Sequence, residues 1–218
     1  MIRRPVTVRM AGIYTSSVTT PTDRPIGPYE RLPVSIRPWD PRCDAVAAAV
    51  ARLIEERRPD LHVEHIGSTA VPGLPGKGII DLGTEADPAE IPAITDAMRE
   101  LGFGPQPGPD PWPPTRPMHV GSYVHDGETF LVHFHVHPRG GDLGHDLRFR
   151  DALRADAALA AAYAGVKDRI TTDAGGVSDR DAYQDAKGTW IGQTYDRLGI
   201  PRPASPLTSA APAAESGS

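Results

Sequence analysis

The segment "MHVGSYVHDGETFLVHFHVHP", residues 118–138, leaves this chain little freedom. Two alternating runs flank Asp126-Gly127, a pair suited to the left-handed backbone of a type I′ turn, so the pattern predicts an antiparallel hairpin. In its second arm Phe130, Val132, Phe134 and Val136 share one face, and His133, His135 and His137 share the other. The chain must build a sheet with one face in a core and one lined by imidazole. Side chains two residues apart on a strand face sit ~7 Å apart, close enough for two imidazoles to converge on one metal ion or one phosphate. Solvated strand faces usually carry Lys, Glu or Thr, whereas His suits proton transfer and metal ligation near neutral pH.

A second segment, "HVEHIGSTAVPGLPGKGIID", spans residues 62–81. It reads as a strand near 61–66, a Gly67-Ser68 turn and a strand near 77–83. Ser68 and the backbone amides of such a turn can hold phosphate oxygens, or the serine can simply cap the turn. Asp81 lies in an otherwise apolar run, so its carboxylate must be paired, hydrogen-bonded or metal-bound. Lys77 is a candidate ion-pair partner. Alternation places Asp81 with Ile79, opposite Ile80 and Leu82.

The remaining periodicities fill in the frame. Residues 33–38 read as a short strand. Asp40-Pro41 opens a helix that ends before Pro59 and buries Cys43, Val46, Val50, Leu53 and Ile54. Asp87 and Glu90 form a capping pattern for a helix to Leu101, stopped by Gly102. The proline-rich stretch 104–117 reads as a loop. Helices follow over about 144–155, from an Asp156 cap to about Thr171, and from Ser178 to Leu198. The order implies an α+β fold, a mixed sheet with helices on one side and a helical C-terminal segment. Residues 1–33 and 200–218 have no helix or strand period and are rich in Pro, Ser, Thr, Ala or Gly, so they read as disordered or loosely packed tails around one domain at 34–199.

Composition narrows the function classes. The net charge of −5 offers no general basic field for nucleic acid. Cys43 is the one cysteine, which rules out an intrachain disulfide and a cysteine-based zinc cluster and suits a reducing cytoplasm. No run of ~18 apolar residues suggests a membrane span. On the later helices Tyr163 and Lys167 are four apart, as are Tyr183 and Lys187, and Arg148, Arg150 and Arg154 precede them. These side chains can grip an anionic ligand, or they can be solvated and paired with the many nearby acids.

The stretch "VEHIGSTAVPGLPGKGIID", with "FRDALRADAALAAAYAGVKDRI" and "DRDAYQDAKGTWI", resembles the GrpB family over about residues 34–198. That family is similar to the nucleotidyltransferase superfamily. The resemblance implies a nucleotidyltransferase-like mixed sheet in which Gly67 and Ser68, with Thr69, form a phosphate-binding turn. It implies that Asp81 is a metal-binding carboxylate, and that His135 and His137 stand where the superfamily has a further acidic residue. Lys77, Arg148, Arg150, Tyr163, Lys167, Tyr183 and Lys187 match positions that recur in GrpB-like sequences.

Asp81, His135 and His137 are then the expected catalytic and metal-binding set, with His133 further back. The chain departs from the superfamily at Asp81-Leu82-Gly83, where an Asp-x-Asp or Asp-x-Glu is the rule. Mg²⁺ favours oxygen donors, whereas histidines favour a transition metal. The expected function is a nucleotidyltransferase-like enzyme acting on a nucleotide or another anionic small molecule. It would use a divalent metal, with an NTP as substrate, and its chemistry could be repurposed for another transfer such as amide-bond formation. Two alternatives stand beside it: a non-catalytic small-molecule-binding module, and a histidine-based metal enzyme that uses no nucleotide.

Overall fold

The computed structural model describes residues 24–33, 35–108, 112–173 and 180–202, with backbone alone at 172, 173 and 180–184. The expected helix start at Ser178, and most of both tails, lie outside the described residues.

The chain folds around a five-stranded mixed sheet in the order β1-β2-β5-β4-β3. The strands are β1 (Glu64–Ile66), β2 (Ile80–Ala86), β3 (Gly104–Pro105), β4 (Met118–His125) and β5 (Glu128–Pro138). β2 runs parallel to β5, and the other neighbours are antiparallel. The β4–β5 hairpin turns where expected, with positive φ at both Asp126 (50°) and Gly127 (76°).

Helices α1 (Cys43–Arg57) and α2 (Ile91–Leu101) cover one face of the sheet. Val46, Val50, Ile54, Ile80, Leu82, Ile94, Met98, Val132, Phe134 and Val136 have no exposed surface there. This is the apolar face that the alternation in β5 demands. Gly102 ends α2 at φ 111°, and the amide of Phe103 closes back on Met98 O at 3.0 Å.

The last three helices, α3 (Leu143–Ala155), α4 (Ala157–Asp173) and α5 (Arg180–Leu198), gather a second apolar cluster. Phe149, Leu153, Tyr163, Tyr195 and Ile200 pack there with Val71 and Leu74 from the loop after β1. Asp156 caps α4 as expected, its Oδ1 accepting the amides of Ala158 (2.8 Å) and Leu159 (3.0 Å). No helix of the described residues is long and apolar enough to cross a membrane.

Four local expectations are corrected. Among the described residues the expected strand at 33–38 is reduced to an isolated bridge of Arg37 with Gly76, because the prolines at 33 and 38 cannot donate to a ladder. β2 starts at Ile80 instead of Lys77, since Gly78 at φ 71° breaks the extended run. Asp87 makes no side-chain cap; a 3₁₀ turn, Pro88–Glu90, leads into α2 instead. Residues 24–33 do not behave as a loose tail. Ile26 is 3% exposed, and Gly27 exchanges backbone hydrogen bonds with Ser122. Gly121 makes this possible, because a Cβ there would stand 2.3 Å from Ile26 Cγ2.

Candidate functional site

The parallel register of β2 and β5 sets Asp81 opposite His133 on the sheet's second face. His133 Nδ1 lies 3.2 Å from Asp81 Oδ1, and His135 Nε2 lies 3.6 Å from the same oxygen. One ligand atom from each of the three falls within 4.8 Å of the others, the one such group of three among the described residues. Tyr29 Oη is 3.0 Å from His133 Nε2 and fixes the ring from behind, as outer contacts of ligating histidines do. The Trp112 ring meets His135 edge-on at 5.6 Å.

Electrostatics keep these donors ready. Burial alone would raise the Asp81 carboxyl, but hydrogen bonds and charge from His133 and His135 outweigh it and hold Asp81 below the usual carboxylate range. Burial pushes His133 down, against the opposing pull of Asp81.

His137 is corrected as a partner of Asp81. It pairs with Glu85 in the register, four residues along β2, and is 1% exposed. Its Nε2 lies 3.8 Å from Asp146 Oδ2, and burial pushes the ring down to about 3. His133, expected to take the lesser part, stands in its place. Both histidines share the face that alternation assigns them. The signal that separates them is the point where β2 begins: Asp81 is its second residue and so meets the first histidine of the run, not the last.

The Gly67-Ser68 turn adjoins this centre. Gly67 has φ 73°, and a Cβ there would stand 2.5 Å from Asp81 Oδ2. Only glycine therefore allows the turn to lie against the carboxylate. Ser68 is half-buried, and Lys167 Nζ lies 3.3 Å from its Oγ. Lys167 is 1% exposed, sits 4.4 Å over the Tyr163 ring and also donates to Pro75 O. Burial, with the charge of Lys187 nearby, pushes the Lys167 amine down to about 7. The Tyr163 hydroxyl lies close enough to Ser68 to feel it, though burial dominates and pushes that hydroxyl's pKa up. Lys77 is half-buried and close enough to His133 for its charge to oppose protonation of that ring.

Three other expected residues serve the scaffold. The Thr69 hydroxyl donates to Ile79 O at 3.0 Å and meets His65 Nε2 at 3.1 Å, so it locks the turn. Arg150 joins Glu64 and the backbone of His65, both at 2.9 Å, and ties α3 to β1. Arg148 is exposed and donates to Gly199 O at 3.1 Å. The Tyr183 side chain lies outside the described residues. Tyr29 and Trp112 were missed because each lies in a stretch with no period.

The second carboxylate of an Asp-x-Asp pair would be crowded here. A Cβ on Gly83 would meet Leu143 Cδ1 at 2.7 Å and Ile66 Cδ1 at 3.0 Å. The first turn of α3 fills the place where a second acidic side chain would stand.

The fold and its second face thus define an α+β protein with an aspartate–histidine cluster beside a serine–lysine cradle. The chain belongs to the GrpB family, whose model, described as GrpB protein, matches residues 33–197. A UPF0157 protein of Streptomyces coelicolor is 32% identical over 81% of this chain and 90% of its own length. Another, from Pseudomonas aeruginosa, is 32% identical over 75% of this chain and 67% of its own. The crystal structure of conserved protein GrpB from Enterococcus faecalis superposes with a TM-score of 0.58 at 20% identity, over 75% of this chain and 99% of that one, and so shares the fold. A structure of Cid1 in complex with its short product ApU overlaps at a TM-score of 0.45 and 16% identity, over 68% of this chain and 48% of that one, a likeness too slight to speak to chemistry.

Proposed function

We propose that this protein is a metal-dependent, nucleotidyltransferase-like transferase acting on a nucleotide or another phosphorylated or anionic small molecule. The observation that carries the reading is the Asp81–His133–His135 group, with both imidazoles converging on one carboxylate oxygen. Two imidazoles and a carboxylate fit Zn²⁺, Mn²⁺, Fe²⁺ or Ni²⁺ better than Mg²⁺, and three protein donors leave coordination positions open to a substrate. A metal held there would supply Lewis-acid polarisation of a bound oxygen.

The chain's own residues do the rest. Ser68, Lys167 and Lys187 form the anion cradle, and Lys167 has no carboxylate partner among the described residues to neutralise it. An incoming phosphate or carboxylate would supply that missing charge. Glycine at position 83 favours a single-metal centre over the two-metal arrangement. We place the protein in the cytoplasm, with its lone cysteine reduced and buried.

Thermal shift tests the reading. Zn²⁺ or Mn²⁺ alone should raise the melting temperature, and ATP, CTP or pyrophosphate should raise it further. A metal shift without any anion shift would favour a histidine-based metal enzyme that uses no nucleotide. An anion shift without a metal shift would favour a binding module. No shift with either would refute the proposal.

A further inference from the structure

Ser68 differs from its neighbours in a way that phosphate binding does not require. It follows β1 on a turn whose two flanking glycines bring the backbone close. Gly67 holds φ 73°, and a Cβ on Gly76 would stand 3.1 Å from Ser68 Cβ. Thr69 and Ala70 are 4% and 0% exposed, while Ser68 stays partly exposed. The Thr69 hydroxyl is spent on the backbone of Ile79 and the ring of His65. The Ser68 hydroxyl has Lys167 Nζ at 3.3 Å as its partner, and the Tyr163 hydroxyl lies close by. Pro75 O and the Tyr163 ring hold the amine in place. With no counter-ion among the described residues, a buried amine favours its neutral form, and its lone pair can then take a proton.

We propose that Ser68 is a nucleophile whose proton passes to Lys167, with Tyr163 as its positioning residue, and that it attacks the carbonyl of an activated acyl group such as an ester. The inference goes beyond the transferase reading above: it gives the same serine and lysine an acyl-transfer step when no anion occupies them and the amine is neutral. As Oγ bonds to the carbonyl carbon, its proton moves to Lys167 Nζ. The tetrahedral centre then collapses, the carbon–oxygen bond to the leaving alcohol breaks, and that oxygen takes the proton back from the ammonium. Water or an amine repeats the sequence on the acyl-serine and frees Ser68. No oxidant or reductant is needed. A groove of about 580 Å³, lined by Val71, Leu74, Pro75, Leu153, Ala160 and Ala164, shares Pro75 with the lysine contact and offers an apolar acyl chain a place.

The test is labelling of the full chain with a fluorophosphonate probe between pH 6 and 9, read by intact mass and peptide mapping. One adduct is expected, on Ser68, with a rate that climbs with pH through about 7. Ser68→Ala should abolish it. Lys167→Met and Lys167→Arg should each slow it by about 100-fold, the low end of a general base's contribution. Tyr163→Phe should slow it less and leave the pH midpoint in place. Lys167→Arg keeps a long basic side chain but cannot give up its proton near pH 7, so it also serves if Lys167→Met fails to fold. The proposal is overturned if Ser68 carries no adduct, or if Lys167→Arg labels at the wild-type rate. Should Ser68 resist the probe while pyrophosphate still binds by calorimetry, the nucleophile is disproved and the anion cradle stands.

Discussion

The two faces of β5 carry the two halves of this protein. On one, Val132, Phe134 and Val136 have no exposed surface and close the core under α1 and α2. On the other, His133 and His135 keep 13% and 16% of their side chains exposed and turn toward Asp81. Neighbours in sequence thus answer to different physics. One set is held by apolar burial and the other by a half-buried carboxylate. Fold and site can therefore be separated by substitutions one residue apart.

The largest expected contrast is between Phe134→Ala and His135→Ala. The first leaves a cavity among α2, β2 and β5 and should cost about 3–5 kcal/mol in urea denaturation. The second should cost less than about 1 kcal/mol and instead remove metal binding. Comparable stability losses from both would break the comparison.

The next contrast concerns Gly83, which lies on the histidine face but is packed like the core. Gly83→Asp would restore the superfamily's second carboxylate in sequence, yet its Cβ would stand 2.7 Å from Leu143 Cδ1. It should cost about 1–3 kcal/mol or more from overpacking alone. Adding Leu143→Ala should recover much of that loss, which a double-mutant cycle of denaturation midpoints would show.

A smaller effect sharpens the picture at Lys167. Its amine is pushed from 10.5 down to about 7, so between those values the unfolded chain is protonated and the folded one is not. The unfolded state then binds more protons, and stability should rise with pH across that window. Below about 7 both states carry the charge, and burying it costs the fold in full. Lys167→Met should flatten the rise in stability measured from pH 7 to 10.

Much of this was legible in the sequence. The Asp126-Gly127 turn, the Phe/Val face of β5, Gly102 as the stop of α2 and the Asp156 cap are local features, set by backbone conformation and period. So is the shared face of the three histidines. The sequence does not show which histidine meets Asp81, because that depends on a register between positions 52 residues apart, and Gly78 moves the start of β2 by three positions. Packing of Ile26 was hidden for a similar reason. It needs the slot left by Gly121, a long-range vacancy that no local period reveals. Arg148 and Arg150 carried the chemistry expected of ligand-binding residues, but their partners are Gly199, Glu64 and the backbone of His65. Only the fold distinguishes such an anchor from a ligand contact.

The most direct measurement is calorimetric titration of Zn²⁺ or Mn²⁺ into the wild-type protein and into His133→Ala and His137→Ala. The expected result is one site per chain. His133→Ala should weaken it by more than the about 10–100-fold typical of an outer-shell change, and His137→Ala should weaken it by no more than that. Loss of binding in His137→Ala with binding intact in His133→Ala would contradict the Asp81–His133–His135 centre.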